Sequence, residues 1–148
     1  MSSASDVTWA STHGPATMEE IERVEVYLGL TLPADYLGVA VSNSGGYPSR
    51  DAFDFEHKKE AVFNRLLSLH PDRENSIVNV YNEIRDRLVD GIVPFADDPF
   101  GNYLCFDYRG GEIPTIVYWD HEVAASTPEQ AVFYVSSSFS GLLAKLYE

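Results

Sequence analysis

The sequence predicts a single α+β domain with a mostly antiparallel sheet, and three observations carry that expectation. Residues Ile77, Val80, Tyr81, Ile84 and Leu88 trace an i, i+3, i+4, i+7 stripe, the mark of an amphipathic helix. From residue 103 onward the apolar period changes to two, broken by a Gly-Gly turn, which is the mark of a hairpin. The 148 residues are 45% hydrophobic and 13% aromatic, enough for one well-filled core. Helices, strands, a helix, a strand meander and a last helix follow one another, an order that suits α+β architecture better than alternating βαβ units.

The elements are justified in turn. Residues 1–16 read as a polar leader, and the folded domain is expected over 17–148. Thr17 and Glu20 have capping-box spacing, and Ile21, Val24 and Leu28 share one face, so a helix starts at Thr17 and stops at Gly29. Pro33 suits the first turn of a second, short helix running to about Ala40. The two glycines and the Tyr-Pro pair in SNSGGYPS mark a loop. Phe53 and Phe55 around Asp54 predict a strand with one wet face, and residues 61–69 are expected to form another. His70, Pro71 and Asp72 break the chain before the strong central helix, which Asp90-Gly91 closes.

Next, YLCFDY (103–108) and IPTIVYW (113–119) form a hairpin around Arg109–Glu112. Tyr103, Cys105 and Asp107 point to one side and Leu104, Phe106 and Tyr108 to the other, while Pro114 is expected at an exposed strand end. QAVFYV adds a strand. Ser136 to Ser138 offer N-caps for a final helix with Phe139, Leu142, Leu143 and Leu146 on its apolar face.

The charge is one-sided. Ten Lys and Arg against 23 Asp and Glu give −13, spread along the chain rather than gathered in a tail. An acidic body repels nucleic acid and anionic membrane, stays soluble, and speeds encounter with basic partners. Neither a nucleic acid nor a membrane is therefore an expected partner. No apolar run is long enough for a membrane span and the start lacks secretory signal features, so a soluble, cytoplasmic protein is expected. The single cysteine excludes an internal disulfide.

Two constellations invite a chemical reading. Asp97-Asp98, ahead of Pro99, Phe100, Gly101 and Asn102, could hold a hard cation, but the spacing is not that of a calcium loop; capping of a hairpin turn is the plainer reading. Trp119-Asp120-His121-Glu122 could supply a general base or half a metal site, yet no H-E-x-x-H, paired Cys or third ligand accompanies it. Continued strand alternation would send Trp119 and His121 to one face and Asp120 and Glu122 to the other. Cys105, inside a strand with no basic neighbour, reads as packing rather than a nucleophile. No cofactor or metal is expected, and no enzyme signature is present.

Taken together, LPADY at 32–36, the Gly-Gly loop at 45–46, VPFADDPFGNYLCFDY at 93–108, IVYWDHE at 116–122 and SSFSGLLAKL near the C-terminus resemble the SUKH superfamily. The likeness is closest to the branch named for a fungal cell-wall assembly regulator and runs from about residue 17 to the C-terminus. It rests on Pro94, Phe95, Asp97, Gly101, Asn102, Asp107, Tyr108, Trp119, Asp120, His121 and Glu122. The resemblance implies a curved antiparallel sheet flanked by helices and, among bacterial members, a non-catalytic immunity protein that binds and blocks a cognate toxin.

On that reading Gly101, Asn102, Trp119 and His121 build the fold. Asp97, Asp98, Asp120 and Glu122 are expected on the face that meets a basic toxin, possible targets including a nuclease, since acidic surfaces complement basic clefts. Two alternatives stand beside it: a regulatory scaffold without a toxin, as the fungal relatives imply, and a metal-dependent hydrolase using Asp97, Asp98, His121 and Glu122.

Overall fold

The computed structural model describes residues 7–148. Its centre is a five-stranded antiparallel sheet in the order β5 (Arg65–Leu66), β6 (Ile92–Asp97), β7 (Tyr103–Asp107), β8 (Thr115–Trp119), β9 (Val132–Ser136). Two small antiparallel ribbons complete the strand set: β1 (Trp9–Ala10) with β2 (Tyr47–Pro48), and β3 (Ala52–Phe55) with β4 (Lys58–Val62). Helices α1 (Met18–Leu28), α2 (Ala34–Asn43), α3 (Ile77–Ile84), α4 (His121–Ala124) and α5 (Phe139–Lys145) surround them. The protein is thus a mixed α+β domain, as its sequence periodicities predict.

Local chemistry places the helix starts. At α1 the Thr17 hydroxyl accepts the Glu20 backbone N–H while the Glu20 carboxylate accepts the Thr17 N–H, a closed capping box, and Gly29 ends the helix in the left-handed region at φ 71°. Ser76 caps α3 through the Asn79 N–H, and Ser138 caps α5 through the Gly141 N–H. Helix α2 runs three residues past Ala40 to Asn43, whose side-chain amide donates back to the Val39 carbonyl.

The core lies on both faces of the sheet. On one, Tyr36 of α2 meets Phe95, Phe106 and Phe139 edge-on at centroid separations of 5.0–5.9 Å, and Phe95 stacks on Phe106 at 4.3 Å. On the other, α3 packs against β6, and Trp119 lies beneath the Arg87 guanidinium and donates its indole N–H to the Arg87 carbonyl. Cys105 is fully buried, and burial pushes its thiol well above the usual range.

Three sequence expectations are corrected, and one strand is new. Residues 61–69 are not one strand: β4 ends at Val62, and β5 begins at Arg65 in a different sheet, with Phe63 buried between. Strand β6 is not among the elements read from the sequence: it shows no alternation because all but its last residue are buried, and its Pro94 is tolerated beside a register shift between Pro94 and Ala96. Pro114 is buried just ahead of β8 rather than exposed on it. Residues 7–16, part of the polar leader in the sequence reading, join the body: Val7 and Ala16 are in the core and Trp9 pairs with Pro48.

Candidate functional site

The hairpin turn between β6 and β7 is built on Asp98. One carboxylate oxygen accepts the backbone N–H groups of Phe100 and Asn102, each at 2.8 Å. The other accepts the Asn102 side-chain amide at 2.9 Å and the Tyr118 hydroxyl at 3.1 Å. The Asp98 N–H donates to the Asn102 carbonyl, closing the turn. Gly101 crosses it at φ 92°, a conformation that favours glycine, and a Cβ at this position would come to 3.4 Å from the His121 ring.

From this turn the network reaches the end of β8. The Asn102 side-chain oxygen accepts the His121 backbone N–H at 3.0 Å and lies 2.6 Å from His121 Nδ1. Because the Asn102 amide nitrogen faces Asp98 and its oxygen faces a backbone donor, the amide orientation is fixed, and His121 Nδ1 must carry the proton. Burial, with the Asp98 carboxylate beside it, pushes the Tyr118 phenol far above its ordinary pKa, so it remains a donor.

The chain does not continue as a strand past Trp119. Asp120 is the N-cap of α4: its side chain accepts the Glu122 and Val123 N–H groups at 3.0 and 3.4 Å, and helical geometry replaces the alternation expected over 119–122. The other Asp120 oxygen lies 3.6 Å from His57 Nε2. His57, at the β3–β4 turn, stacks on Phe133 of β9 at 3.7 Å with the rings 8° from parallel. Lys58 Nζ sits 5.6 Å above the Phe100 ring, which is 64% exposed at the turn tip. Between these walls lies a cleft of about 460 Å³ lined by His57, Lys58, Phe100, Asn102, Tyr118 and the Asp120–Glu122 run.

The four carboxylates expected to face a partner thus fall in different places. Glu122 is exposed in the first turn of α4, and Asp120 is half-buried as its cap. Asp98 is only 8% exposed and turned inward, its acceptor sites taken by four donors. Asp97 ties β6 to the edge strand by accepting the Arg65 backbone N–H and the Asn64 amide; burial raises its pKa, and those two bonds oppose the rise. Among the described residues, no three His, Cys, Asp or Glu side chains stand where they could hold one metal ion. His57, Lys58, Phe100 and Tyr118 complete the cleft without having been singled out in the sequence. His57 lies 63 positions before Asp120, and only the seating of the β3–β4 hairpin brings the two together.

An acidic α+β domain with a polar cleft at one end of its central sheet, held by a hydrogen-bonded Asp–Asn–His turn, is the class this geometry defines. A sequence model of the SMI1/KNR4 family (SUKH-1) matches residues 15–145, and the chain belongs to that family. The chain is also 24% identical over 149 residues to the SPbeta prophage-derived uncharacterized protein YokK of Bacillus subtilis (strain 168), covering 89% of this chain and 75% of that protein.

Proposed function

We propose that this chain is a non-catalytic, cytoplasmic immunity protein that binds a cognate basic toxin domain, a nuclease among the candidates, and neutralises it by occupying its surface. The observation that carries the reading is the Asp98–Asn102–His121 network. The Asp98 carboxylate and the Asn102 amide are consumed within it, so the motif acts as a rigid frame and presents Glu122, Asp120 and Phe100 at its outer edge, with Lys58 facing them from the β3–β4 ribbon. A preorganised rim suits recognition, since little ordering entropy remains to be lost on binding. Family membership and the net charge of −13 support the same reading, because an acidic inhibitor gains association rate against a basic target.

In this reading Glu122 and Asp120 contact the toxin, while Asp97 and Asp98 hold the frame behind them. The fungal branch that gives the family its name favours a second reading, a regulatory scaffold that holds partners without inhibiting an enzyme.

Co-expression separates the two. The C-terminal domain encoded by the neighbouring gene is produced with and without the chain, growth is scored, and any complex is isolated. Restored growth with a co-purifying complex is expected. A toxin domain that still kills at full expression of this chain would remove the immunity reading and leave the scaffold.

A further inference from the structure

A second, larger cleft lies at the far side of the domain. It has a volume of about 880 Å³ and runs between the α1–α2 connection (Gly29–Pro33) and the β7–β8 turn (Gly111–Pro114). The Tyr108 hydroxyl donates to the Thr31 carbonyl at 2.9 Å and ties the two walls together. Leu30, Pro33 and Ala34 give it an accessible apolar lining, floored by the buried Leu32, Ile116 and Phe139. Among the described residues, Asp35 and Glu112 are the only charged ones along it, and no lysine or arginine contributes. Asp35 is fixed in place by accepting the Ser140 backbone N–H at 2.9 Å. Ile113, at the tip of the turn where polar residues are usual, is 87% exposed on the cleft's rim.

We propose that this cleft is a docking site for a segment of the partner protein that carries aliphatic side chains flanked by Lys or Arg. The inference rests on the basic-partner reading above and assigns it a second contact face. Aliphatic side chains fill the apolar lining, and the cations meet Asp35 and Glu112. A small ligand inside the cleft would leave Ile113 in water, whereas a protein segment laid across the mouth covers it. A second copy of this chain is disfavoured, because two bodies of −13 would oppose the same acidic rims.

The test uses the whole chain, 15N-labelled, and three nonapeptides: alternating Leu and Lys, the same with Leu replaced by Ser, and the same with Lys replaced by Glu. The Leu/Lys peptide is expected to shift amides within 29–35 and 111–116. Both control peptides should bind at least tenfold more weakly. Ile113→Asp and Glu112→Lys should each weaken the Leu/Lys peptide at least fivefold; both positions are exposed, so the folded spectrum is expected to persist. Met18→Asp, at the opposite end of α1 from the cleft, should change nothing.

Equal binding of the Ser-containing peptide, shifts scattered over the acidic surface, no shifts, or a dimer dissolved by Ile113→Asp would each overturn the proposal. Growth rescue tells the two ideas apart. Rescue by wild type that survives both cleft substitutions sinks the cleft and spares immunity, whereas absence of rescue by wild type sinks immunity while the peptide result still judges the cleft.

Discussion

The side-chain oxygen of Asn102 accepts the backbone N–H of His121 at 3.0 Å, joining the β6–β7 turn to the first residue of α4. The other end of the same amide donates to Asp98. One buried side chain therefore couples two loops that are 19 residues apart in sequence. Asn102→Ala leaves two His121 donors and part of a buried carboxylate without partners, and is expected to cost about 2–4 kcal/mol in urea unfolding. A loss under about 0.5 kcal/mol would mean that the network does not hold the turn.

Two glycine substitutions should have opposite signs. Gly101 sits at φ 92° against the His121 ring, so Gly101→Ala is expected to destabilise by about 1–3 kcal/mol, with Gly101→Asn less harmful. Gly38 lies on α2 with open space around its Cα, so Gly38→Ala is expected to stabilise by about 0.5–1 kcal/mol. Thermal or urea unfolding of the two alanine variants, side by side, checks the pair.

His70 Nδ1 lies 2.8 Å from the Glu20 carboxylate, and its Nε2 faces the Gly14 carbonyl. Burial pulls the His70 pKa down, but the Glu20 and Gly14 contacts outweigh it and leave it above the ordinary 6.5. Glu20 is held below its ordinary 4.5, chiefly by the Thr17 backbone N–H and then by His70. The histidine's contribution is present below pH 6.5 and lost as pH rises through its raised value. The glutamate's is present above pH 4.5 and lost as pH falls through its lowered value. The pair is thus strongest between those limits. His13 works the other way: burial, then Arg73 and Arg65, lower its pKa. The stability difference between wild type and His70→Gln, measured from pH 5 to 8, should be greatest near the acid end and shrink toward pH 8. A difference that is flat or grows with pH would contradict the ion pair.

In the proposed toxin complex, Glu122→Gln changes an exposed charge at the cleft rim. Its effect is expected mainly on association rate, by less than about tenfold, with a shallower dependence on salt and no change in unfolding midpoint. Asp98→Asn should do the reverse, lowering stability by about 1–3 kcal/mol by putting a donor where Asn102 and Tyr118 already donate. Stopped-flow association across a salt series, paired with urea unfolding, distinguishes rim from frame.

Local chemistry was the legible part. The Thr17–Glu20 spacing, the stripe from Ile77 to Ile84 and the alternation of Tyr103–Asp107 each report interactions within a few residues, and each appears in the fold. Asp98 and Asn102 were likewise readable as a turn from their spacing. Their longer partners, Tyr118 and His121, depend on the β7–β8 register and on helix α4, neither of which leaves a local trace. Strand β6 escaped recognition because both its faces are covered, which removes the period that betrays a strand. The direction of Asp98 was hidden for a related reason: sequence shows a carboxylate but not how many donors converge on it.

The β3–β4 ribbon shares no ladder with the five-stranded sheet beside which it lies. Its tip is seated over the cleft by rings, Phe55 on Tyr118 at 5.0 Å and His57 on Phe133 at 3.7 Å, while a backbone bridge between Ala52 and Tyr147 holds its other end. Backbone ladders fix spacing tightly, whereas ring contacts accept a range of offsets. The polar cleft consequently has one jaw set by a backbone ladder and one whose tip is set by side-chain contacts. Exchanging Phe55 or Phe133 for a smaller or larger residue would alter the gape while the Asp98 turn stays as it is, giving this architecture a way to fit differently shaped partners without rebuilding its frame.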